Sequence, residues 1–103
     1  MAVTLRTLGL EDYDRWVELW RRAGLDTVRD KGRDGRESMA RQFASGRVVM
    51  LGLEDDGVLA GVLLVTHDER KGWLNRLAVL PEYRHRGYAG RLVRAAEDWL
   101  RGQ

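Results

Sequence analysis

The stretch from Val48 to Leu80 constrains the fold more than any other. Two runs, Val48–Leu53 and Val58–Thr66, are apolar at nearly every position. They flank Asp56-Gly57, a dipeptide that supplies the positive φ angles of a tight hairpin turn. A longer polar turn, "HDERKG", leads to a third run, Trp73–Leu80. A strand that is apolar at every residue, rather than at every second one, must be covered on both faces. The chain therefore has to supply helices on two sides of one sheet.

It carries them before and after the hairpins. "VTLRTL" (Val3–Leu8) alternates as a half-buried strand does. In "LEDYDRWVELWRRAG", Tyr13, Trp16, Val17, Trp20 and Ala23 recur at three- and four-residue steps, and Gly24 can close the helix. A short second helix is expected with Met39, Phe43 and Ala44 inward and Gly46 as its stop. After Pro81, the residues Leu92, Val93, Ala96, Trp99 and Leu100 share one helical face. The expected order is β-α-α-β-β-β-α, in one domain over residues 1–103.

Composition removes several function classes. There are no cysteines, hence no disulfide, thiolate metal site or cysteine nucleophile. Two histidines, His67 and His85, do not suggest a zinc site, and no metal is expected. Asp30, Asp34 and Gly35 echo part of a calcium loop, but its twelfth position would be Arg41, where a glutamate is needed. No stretch approaches the ~20 apolar residues of a membrane span. The N-terminus lacks the pattern of a signal peptide, so a cytoplasmic protein with no membrane partner is expected. All but Lys31 and Lys71 of the 18 basic residues are arginine, yet the net charge is only +2, which argues against nucleic acid as a partner.

The chemistry is concentrated in "LAVLPEYRHRGYAGRLV", Leu77–Val93. Here an apolar strand gives way, through a proline turn, to arginine and glycine at the start of a helix. The first N–H groups of a helix have no internal partner, and its dipole adds positive potential there. Gly87 and Gly90 let an anion approach the backbone closely, while Arg84 and Arg86 add charge. No Gly-Lys-Ser/Thr follows, so this is not a P-loop, and the glycine spacing is not that of the dinucleotide fingerprint.

This segment resembles the acyl-CoA-binding motif of the GNAT superfamily of acyl-CoA-dependent N-acyltransferases. Their Arg/Gln-x-x-Gly-x-Gly/Ala signature is matched by Arg84-x-x-Gly87-x-Ala89, and the preceding element order also matches. Gly61 in "LAGVLLV" is similar to the usual glycine of the family's third strand. The resemblance implies an α/β (α+β) GNAT fold with a mixed, largely antiparallel sheet, and a cofactor motif at 77–93. It implies acetyl-CoA as acyl donor and an amine as acceptor, joined by direct attack in a ternary complex. Backbone groups of Leu77, Ala78 and Val79 would face the pantetheine arm. Those of Arg84, His85, Arg86, Gly87, Tyr88, Ala89 and Gly90 would hold the pyrophosphate, and an N–H near Val79 the oxyanion.

The proton-transfer groups do not carry over. The family's frequent glutamate early in the fourth strand is replaced by Trp73, and the tyrosine beyond its fifth strand has no counterpart. Asn75, His67 and Glu69 are the remaining weak candidates: Asn75 could order a water, while His67 and Glu69 can titrate. Asp26, Asp30 and Asp34 could attract a cationic amine. Relatives continue with a further strand, a helix and two more strands. The chain is thus expected to expose a long apolar edge on its fourth strand and to be a truncated form, a homo-oligomer or a half completed by a second chain. The rival readings are a non-catalytic acetyl-CoA-binding module and a nucleic-acid binder using Arg84, Arg86, Arg91 and Arg94.

Overall fold

The computed structural model describes residues 2–25, 28 and 31–103. Strand β1 is Val3–Thr7, followed by a 3-10 turn at Leu10–Asp12 and helices α1 (Tyr13–Arg22) and α2 (Arg36–Ala44). Strands β2 (Val48–Asp55), β3 (Val58–His67) and β4 (Gly72–Val79) follow, then a 3-10 turn at Pro81–Tyr83 and helix α3 (Tyr88–Arg101). The four strands lie in the order β1-β2-β3-β4, and all three pairings are antiparallel. A mixed sheet is thus replaced, among the described residues, by a purely antiparallel one.

The uninterrupted apolar runs are explained by two layers. Along β3, Val62 and Leu64 join Trp16, Trp20 and Met39 under α1 and α2. Their neighbours Leu63 and Val65 point the other way, into a second cluster with Leu92 and Ala96 of α3. Successive strand residues alternate faces, so a strand buried on both sides must be apolar throughout. Gly61 lets α3 come close: a Cβ there would stand 3.1 Å from Leu92 Cδ1 and 3.3 Å from the Ala78 carbonyl oxygen. Met39 and Phe43 pack inward as the spacing predicts, whereas Ala44 is exposed. One residue is a 100° turn of the helix, which carries Ala44 past the edge of the buried face.

Two irregularities shape the sheet. On β3 an extra residue, Ala60, is inserted opposite Leu53 and Glu54, and its carbonyl accepts the N–H of Leu80 at 2.8 Å. On β4 an extra residue lies between Asn75 and Ala78, where Arg76 takes a φ of +52°. A side-chain-bearing residue in that region is strained and must be held from outside. Arg76 is held by the buried carboxylate of Asp34 at 2.8 Å and lies over the Trp20 ring at 5.0 Å. As expected, β4 is an open edge with large apolar residues exposed: Trp73, Leu74 and Leu77 are each more than 40% accessible (45%, 43% and 42%). None of the described helices is long and apolar enough to cross a membrane.

A charged quartet ties β1, the first turn, α1 and β2 together. Arg6 donates to Asp12 at 2.8 Å and to Glu54 at 3.2 Å, while Arg15 reaches the same two carboxylates at 3.2 and 2.9 Å. Asp12 also accepts the Gly9 N–H at 3.1 Å. The hydrogen bonds from Arg6 hold the carboxyl of Asp12 below its ordinary value of 3.8, and that of Glu54 is lowered for the same reason. A carboxylate with a lowered folded pKa stabilises fully above the unfolded value and loses that contribution as pH falls through the folded one. Asp12→Asn should therefore cost about 2 kcal/mol at neutral pH, the scale of charge-assisted bonds lost from a buried site. Its stability should also fall less steeply than that of the parent below pH ~4. Chemical denaturation at a series of pH values reads both; parallel acid limbs would remove Asp12 from the account.

Candidate functional site

At the end of β4 the chain makes three quick changes of direction. Pro81 opens the 3-10 turn, in which the Tyr83 N–H bonds the Leu80 carbonyl at 2.9 Å. His85 and Gly87 then adopt left-handed backbone conformations, with φ of +67° and +79°. Gly87 pays no steric penalty there, whereas His85 does. Helix α3 begins at Tyr88, and its first internal bond runs from the Arg91 N–H to the Gly87 carbonyl at 3.1 Å. The backbone N–H groups of residues 85–90 meet no acceptor among the described residues. Left-handed residues interleaved with ordinary ones gather such groups into an anion-binding concavity, and the helix start adds its dipole.

This loop closes one side of a cleft of about 450 Å³. Its other walls are Leu77, Ala78 and Val79 of β4, Ala23 and Leu25 beyond α1, and the ring of Tyr83. Eight of the ten residues expected to bind cofactor line it: Leu77, Ala78, Val79, Arg84, His85, Gly87, Tyr88 and Ala89. Gly90 sits in the first turn of α3, near the guanidinium of Arg94. Arg84 folds back so that its Nε donates to the Val79 carbonyl at 3.1 Å, bracing the loop against β4. Arg22 pairs with Glu82 at 2.5 Å and ties the end of α1 to the same turn.

Arg86 does not take the position expected of it. Its guanidinium lies over the Tyr83 ring at 5.0 Å, and its Nη1 is 3.5 Å from Oδ2 of Asp55, a carboxylate only 4% exposed. The Tyr88 hydroxyl donates to the same oxygen at 2.5 Å, and that bond raises the phenol above its ordinary range. Asp55 was legible in the sequence only as a flank of the Asp56-Gly57 turn. Its involvement depends on a contact across 33 residues, which no local pattern signals.

The weak catalytic candidates separate. Asn75 lines a neighbouring cleft of about 440 Å³ with Thr66, Gln42, Arg33, Asp34 and Arg76, and its Nδ2 donates to Thr66 Oγ1 at 3.2 Å. That cleft shares Leu25 with the first. His67 and Glu69 are corrected: they line a third cleft of about 580 Å³ that has no residue in common with the first. The reason is strand register, since His67 faces Gly72 while the cofactor residues lie at the Val79 end of β4, about 20 Å away. There His67 Nδ1 accepts the Glu69 N–H at 3.2 Å and its ring packs on Trp99, while Glu69 pairs with Arg47. Asp34 is corrected as well, because its carboxylate is buried against Arg76 and is not open to attract an amine. Asp26 and Asp30 lie outside the described residues.

The cleft therefore places an open sheet edge beside a cradle of unpaired N–H groups. Such a site suits a ligand with an extended, amide-bearing arm at one end and a diphosphate at the other.

Residues 11–103 match the model of the Acetyltransferase (GNAT) family. No curated protein matches the sequence. Among solved structures, the PaiA N-acetyltransferase of Thermoplasma acidophilum in complex with coenzyme A superposes with a TM-score of 0.81 at 21% identity, over 99% of this chain and 74% of that one. A GNAT family acetyltransferase from Brucella melitensis in complex with acetyl-CoA gives 0.72 at 20% identity, over 98% and 70%. The ribosomal-protein-S18-alanine N-acetyltransferase of Escherichia coli gives 0.75 at 22% identity, over 96% of this chain and 59% of that one. With strand order, glycine-bearing loop and family match in agreement, the chain belongs to the GNAT acetyltransferase family.

Proposed function

We propose that this protein is an N-acetyltransferase that transfers the acetyl group of acetyl-CoA to a primary amine. The observation that carries the reading is the meeting of the open β4 edge at Leu77–Val79 with the unpartnered N–H groups of residues 85–90. The residues fit the group in kind: the strand edge for the pantetheine amides, backbone donors for the pyrophosphate, and apolar Ala23 and Leu25 against the arm. Similar folds carry coenzyme A or acetyl-CoA in the Thermoplasma and Brucella structures. A cytoplasmic setting is the natural one for such a donor.

Acetyl-CoA supplies a thioester that a neutral amine can open by direct displacement. Without cysteine, the chain offers no thiol for an acetyl-enzyme, which supports attack within a ternary complex. The amine enters from the cleft that shares Leu25, where Asn75 and Thr66 can order the water that takes its proton. The exposed Trp73 and Leu74 give the Gly72 end of β4 a surface on which a second copy of the chain can pair, making a dimer. One observation favours a second reading, an acetyl-CoA-binding module without turnover: His67 and Glu69, the titratable candidates, face a different cleft.

Calorimetric titration should show saturable acetyl-CoA binding near one per chain. Gly87→Val forces a β-branched side chain into a left-handed backbone and should weaken that binding about ten- to a hundredfold. Absence of binding to the parent chain would end the acetyltransferase reading. With an amine that turns over, initial rates at varied concentrations of both substrates should give intersecting rather than parallel lines. Binding with no turnover across peptide, polyamine, aminoglycoside and small-metabolite amines would select the module instead.

A further inference from the structure

We propose that Asp55 is a positioning residue for the phosphate-binding loop, acting through Tyr88 and Arg86, on either side of Gly87. The inference rests on the cofactor reading above and adds a residue from a different part of the sheet. Asp55 is the last residue of β2, where it is paired with Val3 of β1 and Val58 of β3. Its carboxylate is 4% exposed and cannot be a solvated turn group. A buried carboxylate persists only where charge and hydrogen bonds compensate it. Both compensating groups come from the loop: the Tyr88 hydroxyl at 2.5 Å and Arg86 Nη1 at 3.5 Å.

These two contacts bracket the left-handed Gly87. A glycine at that point is free to leave its conformation, and the left-handed His85 before it is strained. Something outside the loop must hold it, and the contacts of its side chains lead to two places. Arg84 is fixed to the Val79 carbonyl at 3.1 Å on the β4 side. On the other side Tyr88 and Arg86 are fixed to Asp55, and the Tyr83 and Tyr88 rings stack at 6.4 Å with the Arg86 guanidinium over Tyr83. The sheet thus grips residues 84, 86 and 88 on either side of a loop whose N–H groups at 85–90 stay unpartnered at the cleft margin.

The arrangement also assigns Arg86 a role that differs from direct phosphate contact. Its charge balances Asp55, so the anion is met by preorganised backbone dipoles rather than by a mobile cation. Fixed dipoles need no reorganisation when the ligand arrives, which is the physical advantage of building the site this way.

The test compares two acyl donors on the intact chain and on Asp55→Ala, Asp55→Asn and Tyr88→Phe. Acetyl-CoA carries the pyrophosphate, whereas S-acetylpantetheine presents only the arm. Asp55→Ala should weaken acetyl-CoA about tenfold, the scale of one charge-assisted hydrogen bond, and leave S-acetylpantetheine unchanged. Asp55→Asn keeps an acceptor for the Tyr88 hydroxyl and should recover part of that loss. Tyr88→Phe should lose affinity for acetyl-CoA without any change of charge. Equal losses for both donors, or none, would overturn the proposal, since a merely structural role would not tell them apart.

A ligand-free readout separates this inference from the cofactor reading. Amide exchange and heteronuclear NOE values of residues 85–90 should show a rigid loop in the parent and a mobile one in Asp55→Ala, with the rest of α3 unchanged. A parent chain that binds neither donor sinks the cofactor reading, and the NMR comparison still decides whether Asp55 orders the loop. A loop equally rigid in parent and variant overturns the positioning role.

Discussion

Burial of β3 on both faces is the constraint from which the rest of the molecule follows. A strand with Val62 and Leu64 under one helical layer and Leu63 and Val65 under another needs helices on opposite sides of the sheet. The chain meets that need with α1 and α2 before the hairpins and α3 after them. Because α3 must return across the sheet to cover Leu63 and Val65, it starts where β4 stops, and the connection has to be short. The start of that helix is consequently brought against the end of an edge strand. Packing alone, with Gly61 opening the way for Leu92, creates the corner in which the cleft lies.

The layer of α1 and α2 is held by apolar burial and also by charge brought to fixed places. Arg6 and Arg15 gather Asp12 and Glu54 at one end of the sheet, and Arg76 gathers Asp34 at the other. Each set joins segments far apart in sequence. Neither is a surface ion pair in the usual sense, because Asp12 and Asp34 are both nearly inaccessible. Such pairs offset the penalty of burying a carboxylate and specify which loop meets which strand.

What was legible in the sequence was whatever has a period. The three-to-four-residue spacing of Tyr13, Trp16, Val17 and Trp20 and the solid apolar runs of β2 and β3 predict the observed elements closely. The strand-proline-arginine-glycine order placed the cleft, since helix-start chemistry and left-handed glycine are local properties. Features made by long-range register were not legible. The extra residue in β4 that strains Arg76 leaves no mark on composition, and Asp55 becomes part of the site only because β2 ends beside the start of α3. The same reason moved His67 and Glu69 out of the candidate site. They are close to β4 in sequence, but antiparallel pairing delivers them to its far end.

The four tryptophans are sorted by these same layers into distinct optical environments. Trp16 and Trp20 have no accessible surface, Trp99 stands against His67, and Trp73 is 45% exposed on the open strand. Emission from the native chain is thus a sum of two dark-environment indoles, one beside an ionisable ring, and one in water. A molecule that covers the Gly72 end of β4 changes the polarity around Trp73 and leaves the two buried indoles screened. The edge strand carries its own reporter, and the buried pair provides the internal reference against which its signal can be read.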